Sequence, residues 1–223
     1  MKKWVISLGG SVVVPKEINA RFLDDFSRKI VSFAKAGYYF RIVCGGGAFA
    51  RRYMNAVGIY SSIDVVHRIG MIVTRLNAEL VKSYFPLEEC YEKVVINYSR
   101  WKGSDKRIVI GAGERLGYST DYDAYLFAIA ENVKTILNIT DVDYVYDKNP
   151  KKYGDAKPLE RLRWKDYLEM VSSEFKPGDN FPFDPLASKA CMNHNIKVIV
   201  CNSNLDNIEK ILKGEKYIGT LLY

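Results

Sequence analysis

The sequence predicts an α/β fold, an open and mainly parallel sheet with helices on both faces. Three observations predict it. Short β-branched runs alternate with longer segments of helical periodicity. Strands separated by helical segments pair in parallel through right-handed crossovers, which places helices on the sheet faces. Glycine clusters follow three of the strand-like runs, at Gly9-Gly10, at Gly45-Gly46-Gly47 and at Gly111-Ala112-Gly113.

The elements follow in order. Lys3–Leu8 (KWVISL) reads as the first strand. Residues 19–36 carry Phe22, Leu23, Phe26, Ile30, Val31 and Phe33 near helical spacing and stop at Gly37. Phe40–Cys44 is a strand broken by the triple glycine, and a helix is expected over 48–57. Residues 61–85 read as a long helix containing Gly70. Strands are expected at 93–97 and 107–110, a helix at 120–132 and a strand at 134–138. A short helix near 164–172 lies between loop-like stretches at 146–159 and 174–185, which read as active-site loops. The chain ends on a helix at 184–194, a strand at 196–201 and a helix at 205–212.

Composition narrows the function classes. At 48% hydrophobic and 26% charged residues over 223 positions, the chain has a globular composition. It is long enough to bury roughly 70% of its unfolded surface. No run approaches the ~18 apolar residues of a membrane helix. The opening MKKWVISLGG is interrupted by glycine before any cleavage site, so a cytoplasmic protein is expected. Cys44, Cys90, Cys191 and Cys201 form no CxxC pair and read as buried free thiols. The net charge of +7 calls for an anionic partner. The basic residues are dispersed and no aromatic RNA-binding motif appears, so neither a nucleic-acid nor a membrane partner is expected.

Ligands of an open parallel sheet bind beyond the carboxyl ends of its strands, and the glycines fall there. A residue without Cβ lets backbone N–H groups approach phosphate oxygens, and the helix after Gly47 adds its N-terminal dipole. No GxxxxGK[ST], dinucleotide GxGxxG or protein-kinase motif is present. His67 and His194 are the only histidines, which disfavours histidine-rich metal sites. Taken alone, Lys189 reads as solvated helix charge, Arg51-Arg52 as surface charge, Ser119-Thr120-Asp121 as an N-cap, and Asp141 and Asp143 as turn residues.

Together, the order and spacing of several motifs resemble the amino-acid-kinase superfamily, and within it the archaeal-type uridylate kinases. The carriers are Leu8-Gly9-Gly10-Ser11, the stretch from Gly45 to Tyr53, Gly70-Met71 with Thr74–Ala78, Ser119-Thr120-Asp121, Thr140–Tyr146, Asn149-Pro150, Asp184–Lys189 and Gly219–Leu222. The resemblance implies a single three-layer αβα domain over 1–223, with an acceptor-binding half of about 1–130 and an ATP-binding half of about 131–223. It implies transfer of the ATP γ-phosphoryl to UMP, with magnesium as cofactor and a homo-oligomer, a hexamer, as the assembly. Gly45, Gly46, Arg51, His67, Ser119 and Thr120 would meet the acceptor. Gly9, Gly10, Gly47, Thr140, Asp141, Tyr146, Asn149 and Tyr153 would meet ATP. Lys189, Asp143 and Asp184 would be catalytic, and no residue is assigned as a dedicated metal ligand.

The chain departs from the family pattern at four places. Ser7 stands where a lysine or an aspartate is usual, His67 where an aspartate faces the acceptor ribose, and Tyr144 replaces a glycine. The stretch Gly113–Gly117 also differs. These departures fall on the acceptor side and at the transfer point. They keep two alternatives open: another phosphorylated acceptor, or a nucleotide- or oxyanion-binding protein without turnover.

Overall fold

The computed structural model describes residues 2–57, 62–148, 150, 153–171 and 181–223. Its main sheet contains β1 (Lys2–Leu8), β2 (Tyr38–Cys44), β3 (Ile108–Gly111), β4 (Thr135–Thr140), β7 (Arg161–Leu162), β8 (Lys197–Asn202) and β9 (Thr220–Leu222). A two-stranded antiparallel hairpin, β5 (Val145–Tyr146) with β6 (Pro158–Leu159), stands apart from it. The helices are α1 (Gly10–Val13), α2 (Ala20–Lys35), α3 (Gly47–Ala56), α4 (Ile63–Lys82), α5 (Thr120–Ala130), α6 (Trp164–Met170), α7 (Pro185–Asn193) and α8 (Leu205–Lys213).

The sheet order is β3-β2-β1-β4-β8-β9-β7. Pairs from β3 through β8 are parallel, and β9 runs antiparallel to β8. Alternation of side chains along β1 sends Ile6 and Leu8 into one core and Val5 into the other. Phe26 of α2, Val81 of α4 and Ile208 of α8 close the first core. Phe127 of α5, Tyr167 of α6 and Cys191 of α7 close the second. Two helical layers over one sheet make the αβα sandwich, and all four cysteines are buried and free.

The local chemistry explains the helix ends. Asn19 and Ser119 cap α2 and α5 by accepting from Phe22 N and Tyr122 N. Asp184 caps α7 through Ala187 N at 2.7 Å, with Pro185 in the first turn.

One expected strand is absent. Within residues 93–97 a single isolated bridge reaches β3, Val95 with Gly111, and a second bridge, Cys90 with Ile108, lies just before them. The chain turns immediately afterwards. Asn97 Oδ1 accepts from Arg100 N at 3.1 Å, and the Tyr98 hydroxyl tucks under the sheet to donate to Ala112 O at 2.8 Å.

Candidate active site

The exits of β1, β2, β3 and β4 lie at one end of the sheet, and their loops build the site. Gly9 N donates to Ile139 O and Gly45 N to Leu8 O, each at 2.9 Å, which ties three strand ends together. The loops after β1 and β2 then meet back to back. A Cβ on Gly10 would lie 2.2 Å from Gly47 N, and one on Gly47, whose φ is +61°, 2.2 Å from Gly10 C. No side chain fits at either position. This contact places the starts of α1 and α3 together, and the first N–H groups of a helix have no intrahelical acceptor.

Polar side chains hold this junction from behind. Buried Asn77 donates to Gly45 O at 2.8 Å. Thr74 Oγ1 accepts from Gly113 N at 2.9 Å, while the Arg75 guanidinium donates to Gly113 O at 3.1 and 3.2 Å. Motif residues Thr74, Arg75 and Asn77 on α4 thus fix the loops after β2 and β3.

A cavity of about 200 Å³ opens on the acceptor side, and five predicted acceptor residues, Gly46, Arg51, His67, Ser119 and Thr120, line it. Gly45 is immediately behind, where a Cβ would stand 3.3 Å from Thr120 Oγ1. Gly47, predicted for ATP, also lines this cavity. Among the described residues His67 Nε2 is buried without a hydrogen-bond partner. The sequence reading assigned no role to Arg115, which also lines the cavity with its guanidinium over the Tyr118 ring at 5.5 Å. The signal was present: an arginine two residues beyond the Gly111-Ala112-Gly113 strand exit.

A second cavity, of about 350 Å³, opens beyond β4 and is lined by Thr140, Asp141 and Tyr146 of the predicted ATP set, together with Tyr144, Lys148 and Tyr167. Tyr153 is exposed outside that lining, with Lys148 Nζ 5.5 Å above its ring. Asn149 lies outside the described residues.

The predicted catalytic residues are spread out. Lys189 is exposed on α7 and lines neither cavity. Asp143 is exposed after β4 and accepts from Asn202 Nδ2. Asp184 is buried at the start of α7, and burial raises its pKa above the ordinary value. Its amide donates to Asp121 Oδ2 at 3.0 Å, and Ser7 Oγ donates to Asp121 Oδ1 at 2.8 Å. Asp121 is pushed up to about 7, chiefly by burial and then by the Asp184 charge, against the pull of these two donors. The Ser119-Thr120-Asp121 motif marks a helix start but not this carboxyl's surroundings. Its position where β1, α5 and α7 meet follows only from tertiary structure.

Among the described residues no three His, Cys, Asp or Glu side chains converge to hold a metal. Magnesium is commonly held by one or two carboxylates plus substrate phosphates. Two carboxylates, Asp141 and Asp147, are on the lining of the second cavity, a donor set of that kind.

Residues 2–202 match the Amino acid kinase family. The chain is 32% identical over 222 residues to the uridylate kinase of Thermoplasma acidophilum, covering 98% of this chain and 95% of that one. It is 35% identical over 224 residues to the uridylate kinase of Archaeoglobus fulgidus, covering 99% of both. The crystal structure of uridylate kinase from Archaeoglobus fulgidus superposes with a TM-score of 0.85 at 33% identity over the whole of both chains. The UMP kinase structure from Bacillus anthracis, at 22% identity and a TM-score of 0.80 over 99% of this chain and 95% of that one, shares the fold. With its glycine junction between two strand-end cavities and relatives matched end to end, the chain belongs to the amino acid kinase family.

Proposed function

We infer that this protein transfers the γ-phosphoryl group of ATP to UMP, giving UDP and ADP. One observation carries the reading: a cavity lined by Arg51, Arg115, Gly46 and Gly47 and a tyrosine-lined cavity that begins at Thr140 open at the same end of the sheet, in a chain matched end to end by archaeal uridylate kinases. Phosphoryl transfer depends on positioning and charge neutralisation more than on covalent help from the protein. A 5′-phosphate oxygen of UMP attacks the γ-phosphorus, the bond to the β–γ bridging oxygen breaks, and ADP leaves.

Residues 1–130 form the acceptor half and residues 131–223 the ATP half of one domain. Arg51, Arg115, Ser119 and Thr120 grip the UMP phosphate, and His67 Nε2 hydrogen-bonds the nucleoside. Gly9, Gly10, Gly45, Gly46 and Gly47 line the phosphate path. Thr140, Asp141, Tyr146 and Tyr153 lie along ATP. Lys189 meets charge on the transferring group, with Asp143 and Asp184 orienting it or contacting magnesium. Magnesium, when bound with ATP, neutralises β- and γ-phosphate charge.

The protein acts in pyrimidine nucleotide synthesis in the cytoplasm, as a homo-oligomer and specifically a hexamer. Its contacts run through the α4 region, where Ile63, Ile72 and Leu76 are 60%, 55% and 58% exposed.

ADP release measured with UMP, CMP, dUMP and small phosphorylated acceptors tests the reading. UMP is expected to give the highest kcat/KM. Preference for another acceptor, or ATP binding without turnover on any, overturns it. Lys189→Ala is expected to lower kcat ~100-fold, the scale of a lost electrostatic donor. A near-normal kcat removes Lys189 from the mechanism.

A further inference from the structure

The end of the sheet opposite the glycine junction carries a different charge pattern. β1 opens on Lys2-Lys3, Lys134 immediately precedes β4, and β8 opens on Lys197. These three strands are neighbours in the sheet, and Lys197 N donates to Lys134 O at 2.9 Å, which sets the last two lysines side by side. A cavity of about 650 Å³ lies there, with these four lysines and Lys213 on its lining against a single carboxylate, Glu215.

The charges are not all neutralised internally. Lys3 is paired with Glu131 at 2.8 Å and Lys213 with Glu209 at 2.6 Å. Lys2 donates to the Tyr38 hydroxyl, a neutral group. Among the described residues Lys134 and Lys197 are in no ion pair, and both are exposed. The lining also has an apolar part. Trp4 and Tyr217 are half-buried against the first core, and Leu212 is buried within it. A concave site with an apolar wall and a few convergent charges is the usual form of a small-ligand pocket, and lysines act as point charges toward phosphate.

We propose that this cavity is a second anion site, separate from the transfer site, that takes a small polyphosphate bearing a flat apolar group, the chemistry of a nucleoside triphosphate. Lys2, Lys134 and Lys197 meet the phosphates and Trp4 with Tyr217 faces the ring. The site accounts for part of the +7 charge that the transfer site does not use. Lys197 also lines an adjoining cavity of about 420 Å³ with Arg163 and Lys165. A longer polyanion would have room to run there, so the test includes one. The proposal does not depend on UMP being the acceptor.

Calorimetric titration of the full chain with ATP tests it, with inorganic tripolyphosphate and a single-stranded oligouridylate as further probes. Two ATP sites per chain are expected, the second weakened by added salt. The doubly substituted Lys134→Glu, Lys197→Glu chain is expected to lose the second site at least ~10-fold in affinity, with kcat for the kinase reaction within about twofold of the parent. Tripolyphosphate is expected to bind the second site more weakly than ATP. One ATP site per chain, a second site unmoved by the double substitution, or an oligonucleotide that binds more tightly than ATP with one strand covering several sites overturns the proposal. If no acceptor is phosphorylated but the lysine-dependent site persists, the catalytic reading fails and this one stands.

Discussion

The two cavities at the glycine junction differ in how they meet charge. The acceptor-side cavity, about 200 Å³, brings two arginines and a histidine from three separate segments: Arg51 from α3, His67 from α4 and Arg115 from the loop after β3. The donor-side cavity, about 350 Å³, has no arginine on its lining and is walled by Tyr144, Tyr146 and Tyr167 beside Asp141, Asp147 and Lys148. Arginines supply rigid, bidentate cations suited to a phosphate. Tyrosine rings supply flat apolar wall suited to a base. The two cavities therefore offer different chemistry at the same end of the sheet.

The largest effect should come from damaging what the cavities share. Gly10→Ala drives a Cβ to 2.2 Å from the Gly47 backbone, and Gly47→Ala does the reciprocal at a positive φ. Overpacking against backbone plus an unfavourable dihedral should cost about 3 kcal/mol or more, and kcat should fall beyond measurement with either substrate saturating. Gly37→Ala is the control. Its φ is +92° with nothing within 4 Å of the added Cβ, so it should lose only about 1–2 kcal/mol and keep full activity. Urea unfolding with steady-state rates checks all three. Equal behaviour of Gly10→Ala and Gly37→Ala would show that the back-to-back contact is not needed.

Separating the cavities should be next in size. Arg51→Ala and Arg115→Ala each remove charge-assisted hydrogen bonds worth about 2 kcal/mol. KM for UMP should rise ~30-fold with KM for ATP within about twofold. Tyr146→Ala should do the reverse, raising KM for ATP ~10-fold by loss of ring packing. Parallel changes in both KM values would mean that the two cavities act as one site.

Element length, not this division, governs what the sequence revealed. The acceptor side is built on long periodic helices, and α2, α3, α4 and α5 match their expected spans to within three residues. In the other half β4, β8, α6, α7 and α8 match as well, but β5, β6, β7 and β9 are strands of two or three residues, too short to show a period. All four were missed. Of the residues on the first cavity's lining, Arg51, Ser119 and Thr120 come from the family resemblance, because taken alone they read as surface charge and an N-cap. Arg115 carries the same glycine strand-exit signal, and only its place on the cavity lining shows that it matters. Asp121 was not assigned because its environment comes from Ser7 and Asp184, 114 and 63 residues away in the chain.

Asp121 gives the smallest and most specific test, since it joins β1 and α5 to α7 and its start-of-helix contact with Asp184. Its pKa lies near 7 in the folded chain against an ordinary value of 3.8, through burial first and the Asp184 charge second. The folded state therefore binds more protons than the unfolded state between about pH 4 and pH 7, and stability contributed by this group declines as pH rises through that window. The carboxyls of Glu209 and Glu131 are shifted downward, so their opposing contribution falls below that window. Ser7 donates to Asp121 Oδ1 and favours its ionised form. Ser7→Ala should thus destabilise the chain by about 1 kcal/mol at pH 8 and by much less at pH 5, where Asp121 is protonated in either chain. Urea midpoints of both chains at the two pH values measure the difference. A Ser7→Ala penalty that is the same at pH 5 and pH 8 would mean that the serine acts by packing alone, and that the ionisation of Asp121 is set without it.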